Sequence, residues 1–111
     1  MLSIHFFQKH LLAYCFHPYL PHIYHLKNTN DKLLIREEDF NLKLTVKTFK
    51  VPEETAQSTA FGYILKYHRR KNLLFLFYPS FYLSIFDVTK GRILAHFELK
   101  MGNKVFNMTS V

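Results

Sequence analysis

Between Gly62 and Leu99 four apolar runs of strand length follow one another: GYILKY (Gly62–Tyr67), LLFLFY (Leu73–Tyr78), FYLSIFDV (Phe81–Val88) and RILAHFEL (Arg92–Leu99). The polar links between them, His68–Asn72, Pro79-Ser80 and Thr89-Lys90-Gly91, have room for hairpins and nothing longer. Each consecutive pair is therefore expected to lie antiparallel, giving a four-stranded meander. In the last hairpin Gly91 stands where a three-residue turn needs a left-handed backbone, which glycine adopts without Cβ strain. Asp87 is placed to accept hydrogen bonds from the turn amides, and Phe86 supplies apolar bulk beside it.

Upstream the texture changes. Leu33-Leu34-Ile35, then Leu42, Leu44 and Val46 alternating with Lys43, Thr45 and Lys47, keep the period of two that sends neighbours to opposite sheet faces. Arg36–Asn41 reads as the polar link of a hairpin, with the turn cluster KNTND (Lys27–Asp31) before it and the exposed loop VPEETAQST (Val51–Thr59) after it. In the N-terminal apolar, His-rich segment, Ile4, Phe7, Leu11, Leu12 and Cys15 fall at helical spacing, so a short helix is expected before Pro18. An extended or irregular stretch follows to His25. Three segments result, 1–26, 27–59 and 60–111, in a chain of 111 residues whose length suits one domain. The expected fold is mainly β, with Val105–Val111 starting a further strand after Met101-Gly102-Asn103.

SIFDVTKGRILAHF (Ser84–Phe97) resembles the third strand, turn and fourth strand of a WD-repeat-type β-propeller blade, with Phe86-Asp87 where that family often carries Trp-Asp. YHRRKNLLFLFYPS (Tyr67–Ser80) is similar to the first hairpin of such a blade, and NKVFNMTSV (Asn103–Val111) to the innermost strand of the next. The resemblance implies a noncatalytic protein-interaction module or a piece of a propeller scaffold, with a protein partner or further blades against it. One blade cannot close a ring, since propellers take about 4 to 8. Phe75, Phe77, Phe81, Leu83, Ile85 and Phe97 would then face solvent or another molecule. The expectation is that either the N-terminal helix folds over one face or the chain is a poorly stable fragment such as a truncated gene product, both ahead of a cover supplied by another chain.

The net charge of +7 favours acidic partners, and 49% hydrophobic residues argue against wholesale disorder. Arg69, Arg70 and Lys71, after His68, make the tightest basic run and suit a solvated turn that steers an acidic partner. The alternative is a small basic protein binding nucleic acid or an anionic membrane surface, for which Tyr63, Lys66, Tyr67 and His68 would join Arg69 and Arg70 as a stacking and phosphate-binding surface. Partner contact is thus assigned to Arg69, Arg70, Lys71, Phe75, Phe77, Phe81 and Phe97.

No enzyme is expected. The three glycines, Gly62, Gly91 and Gly102, are too far apart to cradle a phosphate, so neither a cofactor nor a small-molecule substrate is inferred. His17, His22 and His25 could share an ion if His22 and His25 lay on one helical turn, but Pro21 disfavours that helix and no Cys or acid stands nearby, so no metal is expected. Cys15 with His10 or His17 lacks an oxyanion-forming turn and reads as a small buried hydrophobe. The carboxylates Glu37, Glu38 and Asp39, like Glu53 and Glu54, read as solvated loop acids. A single cysteine suits a reducing compartment, hence the cytoplasm, and no apolar block reaches the roughly 18 residues a membrane span needs.

Overall fold

The computed structural model describes residues 11–29, 32–52 and 62–99. They are mainly β, forming eight strands: β1 Leu11–Phe16, β2 His22–Thr29, β3 Lys32–Asp39, β4 Leu44–Lys50, β5 Ile64–His68, β6 Leu73–Phe77, β7 Tyr82–Asp87 and β8 Arg92–Glu98. They build two antiparallel four-stranded meanders, β1-β2-β3-β4 and β5-β6-β7-β8. The C-terminal meander has the strands and turns that its alternation predicts. Gly91 is left-handed at φ 72°, Asp87 Oδ1 accepts the Lys90 amide at 3.0 Å, and Phe86 is fully buried.

The N-terminal half departs from expectation in three respects. Leu11–Phe16, assigned to a helix, is a strand paired to β2 through Tyr14↔His25, Cys15↔Tyr24 and Phe16↔Ile23. This run is apolar on both of its faces, so the alternation that marks a strand is absent from it. Secondly, the expected hairpin is the β3–β4 half of a four-stranded sheet, and Arg36–Asp39 belong to β3 while only Phe40–Lys43 turn. Thirdly, the division at Leu26/Lys27 falls inside β2. The residues at 1–10 and the strand expected over Val105–Val111 lie outside the described residues.

The sheets pack face to face. Tyr24, Leu26, Ile35 and Phe49 of the first meet Leu65, Leu74, Leu76 and Phe86 of the second in one buried cluster. The Phe49 and Phe86 rings meet edge to face at 5.8 Å across the middle of it. One face of the C-terminal meander is thus covered by the β1–β4 sheet, so the N-terminal segment supplies cover as a strand of that sheet and not as the helix that was one of the expected covers. β1 lies over β5 and β4 over β8. The strands of each pair run the same way: Leu12–Tyr14 border Tyr63–Leu65 while His17 meets Tyr67 further along, and Lys47 reaches Gly91 while Pro52 reaches Tyr78.

The second sheet repeats the first. The pair Ala13↔Leu26 has its counterpart in Ile64↔Phe77, and Ile35↔Phe49 in Leu83↔Phe97. The β3–β4 ladder shifts register between Glu37 and Glu38, and the β7–β8 ladder shifts at the matching place, between Ile85 and Phe86. The turns match as well. Asp39 and Asp87 each accept a turn amide on Oδ1, and their carbonyls accept from Lys43 N at 2.7 Å and Gly91 N at 2.8 Å. Lys43 takes the left-handed conformation that Gly91 takes in the second copy, which costs a side chain roughly 1–2 kcal/mol.

Candidate interaction surfaces and a polar seam

Equal repeats stacked in the same sense meet through unlike faces. On the first sheet, Ala13, Tyr24, Leu26, Ile35 and Phe49 face the second. Their counterparts by register are Ile64, Phe75, Phe77, Leu83 and Phe97, which lie on the far face of the second sheet. No described strand packs over that face. Ile64 remains 51% and Phe97 37% exposed there, with Phe75, Phe77 and Ile85 half-buried around Leu83. The structure therefore gathers Phe75, Phe77 and Phe97 on one surface. Phe81 sits apart, exposed in the turn before β7 at a left-handed φ of 68°.

Arg69, Arg70 and Lys71 also stand elsewhere, exposed in the β5–β6 turn at one end of the sandwich. The stacking surface proposed around them does not assemble. Tyr63 and Tyr67 turn inward toward the core, whereas Lys66 and His68 lie on the far face, because neighbouring strand residues alternate. Arg69 instead covers the ring of Tyr19, 5.7 Å from its centroid.

A polar seam runs between the sheets. His22 Nδ1 and Glu37 Oε2 are 2.7 Å apart, with Asp39 Oδ2 at 3.5 Å from His22 Nε2. Glu37 is buried and faces Tyr24 across the β2–β3 ladder. Burial, and then the Glu37 carboxylate, push the Tyr24 phenol well above its ordinary range. Tyr24 Oη and Glu37 Oε1 are buried without a hydrogen bond of good geometry, so this end of the seam carries a desolvation penalty. His17 Nδ1 accepts the amides of Tyr19 and Leu20, both at 3.0 Å, and Tyr67 Oη donates to Asn72 Oδ1 at 2.8 Å. Lys47 Nζ donates to the Val88 carbonyl at 2.6 Å, tying β4 to the β7–β8 turn.

The other end of the seam is a relay of hydrogen bonds. Tyr78 Oη donates to the Pro52 carbonyl at 2.7 Å, so its oxygen accepts from buried Ser84 Oγ at 2.8 Å. Ser84 in turn accepts from His96 Nδ1 at 2.7 Å, which places a proton on that nitrogen. Tyr82 stacks on His96 at 5.4 Å. Every partner in this chain has its donor and acceptor in order, and such chains strengthen one another.

The histidines and acids thus have structural surroundings. His22 and His25 point to opposite faces of β2, since three residues along a strand reverse the side, and they cannot share an ion as they could on a helical turn. Among the described residues no three His, Cys, Asp or Glu side chains converge to hold a metal. Burial pushes the Cys15 thiol up to about 12, against the pull of Lys66, which disfavours the thiolate a nucleophile needs. A cleft of about 410 Å³ between β1 and β5 has the walls Leu12, Ala13, Tyr14, Tyr63, Ile64 and Leu65, away from the His22–Glu37 pair. Glu37, Glu38 and Asp39, read as loop acids, are strand residues, and the first of them faces the core.

The same groups set a pH window. Burial lowers the His25 pKa to about 4 despite Glu38 beside it, so the unfolded chain binds this proton more tightly than the fold. That stabilisation is full above about pH 6.5 and is lost as pH falls through 4. Cys15, raised to about 12, contributes fully below about pH 9 and loses its contribution as pH rises toward 12. Denaturant midpoints measured across pH should form a plateau between about 6.5 and 9 with losses on both sides. His25→Leu should flatten the acid flank.

Among the described residues no helix is long and apolar enough to cross a membrane. A comparison with protein-family models finds none that matches the chain, and a comparison with curated proteins finds no match.

Proposed function

We propose that the chain is a noncatalytic protein–protein interaction module built as consecutive blades of a WD-repeat-type propeller scaffold, and that it works by presenting the far face of β5–β8 to a further four-stranded sheet. One observation carries this reading. Ile64, Phe75, Phe77, Leu83 and Phe97 are the register counterparts of the residues with which the first sheet receives the second. A head-to-tail contact of this kind repeats until a ring closes, and an unclosed stack keeps a receiving face. The partner is accordingly a sheet with the apolar character of the inner face of β5–β8, and the lone Cys15 fits a cytoplasmic setting.

The open face is tested by hydrophobic-dye titration and sedimentation of the purified chain. Dye binding and concentration-dependent self-association are expected, and Ile64→Glu with Phe97→Glu should abolish both while the thermal transition stays cooperative. A chain that binds no dye and remains monomeric at high concentration overturns the reading.

A further inference from the structure

All four turns at one end of the sandwich are stitched together. The Phe40 amide donates to the Pro21 carbonyl at 3.0 Å, joining the β3–β4 and β1–β2 turns, and the Val88 amide donates to the Asn72 carbonyl at 3.1 Å, joining β7–β8 to β5–β6. Between the sheets, Arg69 lies over Tyr19 and Lys47 holds the Val88 carbonyl. The end is therefore a platform of fixed shape.

Its two halves differ in chemistry. The turns of the first sheet raise Tyr19, 69% exposed, and Leu42, 66% exposed, with Leu20 and Phe40 also exposed beside them. The turns of the second sheet raise Arg69, Arg70, Lys71 and Lys90, all exposed. The turn carboxylates, Asp39 and Asp87, are half-buried and occupied with turn amides. From this juxtaposition we infer that the turn end docks on an anionic lipid bilayer: Leu20, Leu42 and Phe40 enter the headgroup–acyl boundary, Tyr19 sits at headgroup level, and the cations of the β5–β6 and β7–β8 turns contact lipid phosphates and carboxylates.

Aliphatic tips decide between the polyanions. A nucleic-acid strand offers phosphates to the cations and bases to stack on flat rings, but it gains nothing from Leu20 and Leu42. The ring of Tyr19 has its face under Arg69. A bilayer interface takes both halves of the platform at once. This surface is distinct from the open face of β5–β8 and does not depend on its reading.

The test is co-sedimentation with sucrose-loaded vesicles, either phosphatidylcholine alone or phosphatidylcholine with about a third phosphatidylserine. Binding is expected to the anionic vesicles only and to weaken with salt, as surface charges are screened. Each cation near such a surface multiplies partitioning about fivefold, so Arg69→Gln, Arg70→Gln and Lys71→Gln together should lower it on the order of 100-fold. Leu20→Ser with Leu42→Ser should lower it by about tenfold or more with the charge unchanged. All five positions are exposed, and circular dichroism melts check that the variants fold. The chain lacks Trp, so Leu42→Trp gives a single reporter whose emission should shift to the blue on the anionic vesicles. Absence of binding to those vesicles, or binding that the leucine substitutions leave intact and a single-stranded oligonucleotide displaces, overturns the inference.

Discussion

Phe86→Ala is expected to cost about 3–5 kcal/mol, a large part of the roughly 5–15 kcal/mol that holds a domain of this size. The ring is fully buried and meets Phe49 across the two sheets, so removing it empties the centre of the shared core. Phe49→Ala, on the opposite sheet, should cost a similar amount and act on the same transition. Chemical denaturation followed by both circular dichroism and tyrosine fluorescence should show one coincident unfolding step, its midpoint moved by either substitution. Two separate steps, with each variant shifting only its own, would mean that the sheets are independent units. The double variant should cost less than the sum of the singles, because the rings touch.

The second large effect is expected at the polar seam. His22→Leu leaves the buried Glu37 carboxylate without its 2.7 Å partner, and stranding a buried charge costs about 3–5 kcal/mol. Adding Glu37→Leu should recover most of that loss, since an apolar pair of suitable volume removes the desolvation penalty along with the interaction. Urea midpoints of the wild type, the two singles and the double form the cycle that measures it. If His22→Leu alone is neutral, the pair is not a clamp, and the seam's contribution lies in the Tyr78–Ser84–His96 relay.

The two effects divide the interface by chemistry. Phe49 and Phe86 hold its centre by packing, which tolerates any partner of the right shape. The seam adds a buried polar pair at the edge of that core. Glu37 shares the inner face with His22 and Tyr24 in the register that pairs His22 with Asp39 and Tyr24 with Glu37, and a slip of one residue would turn Glu37 outward and bring Glu38 inward in its place.

The C-terminal meander was legible because its outward and inward residues alternate between short polar turns, and because the Asp87–Gly91 turn has chemistry that a single hairpin geometry satisfies. β1 was not. Ala13 and Cys15 face the core while Tyr14 and Phe16 line the opposite side, so LLAYCF carries no polar face, and its apolar spacing continues that of Ile4 and Phe7 in a helical pattern. Glu37 was hidden for the converse reason. It is an acid at an inward position, and its neighbours Arg36, Glu38 and Asp39 gave it the look of a loop. The candidate partner residues were scattered in a similar way. Phe75, Phe77 and Phe97 share a face only through the register of three strands, and Tyr19, Leu20 and Leu42 join the basic turn only through the stacking of two sheets.

The repeat itself shows where local information stops. Tyr24 and Phe75, or Phe49 and Phe97, look alike at matching positions, yet Glu37 is matched by Ile85 and Cys15 by Lys66. Fewer residues connect β6 to β7 than a strict copy of β2–β3 would need, which shifts the spacing partway through the unit. Alternation and turn chemistry by themselves determined strands, hairpins and the antiparallel order of the second half, since those depend on contacts between near neighbours in the chain. Which face of each sheet is covered, which histidine meets which acid, and which turns share one end were decided only in three dimensions, because each rests on residues that stacking and long-range register bring together.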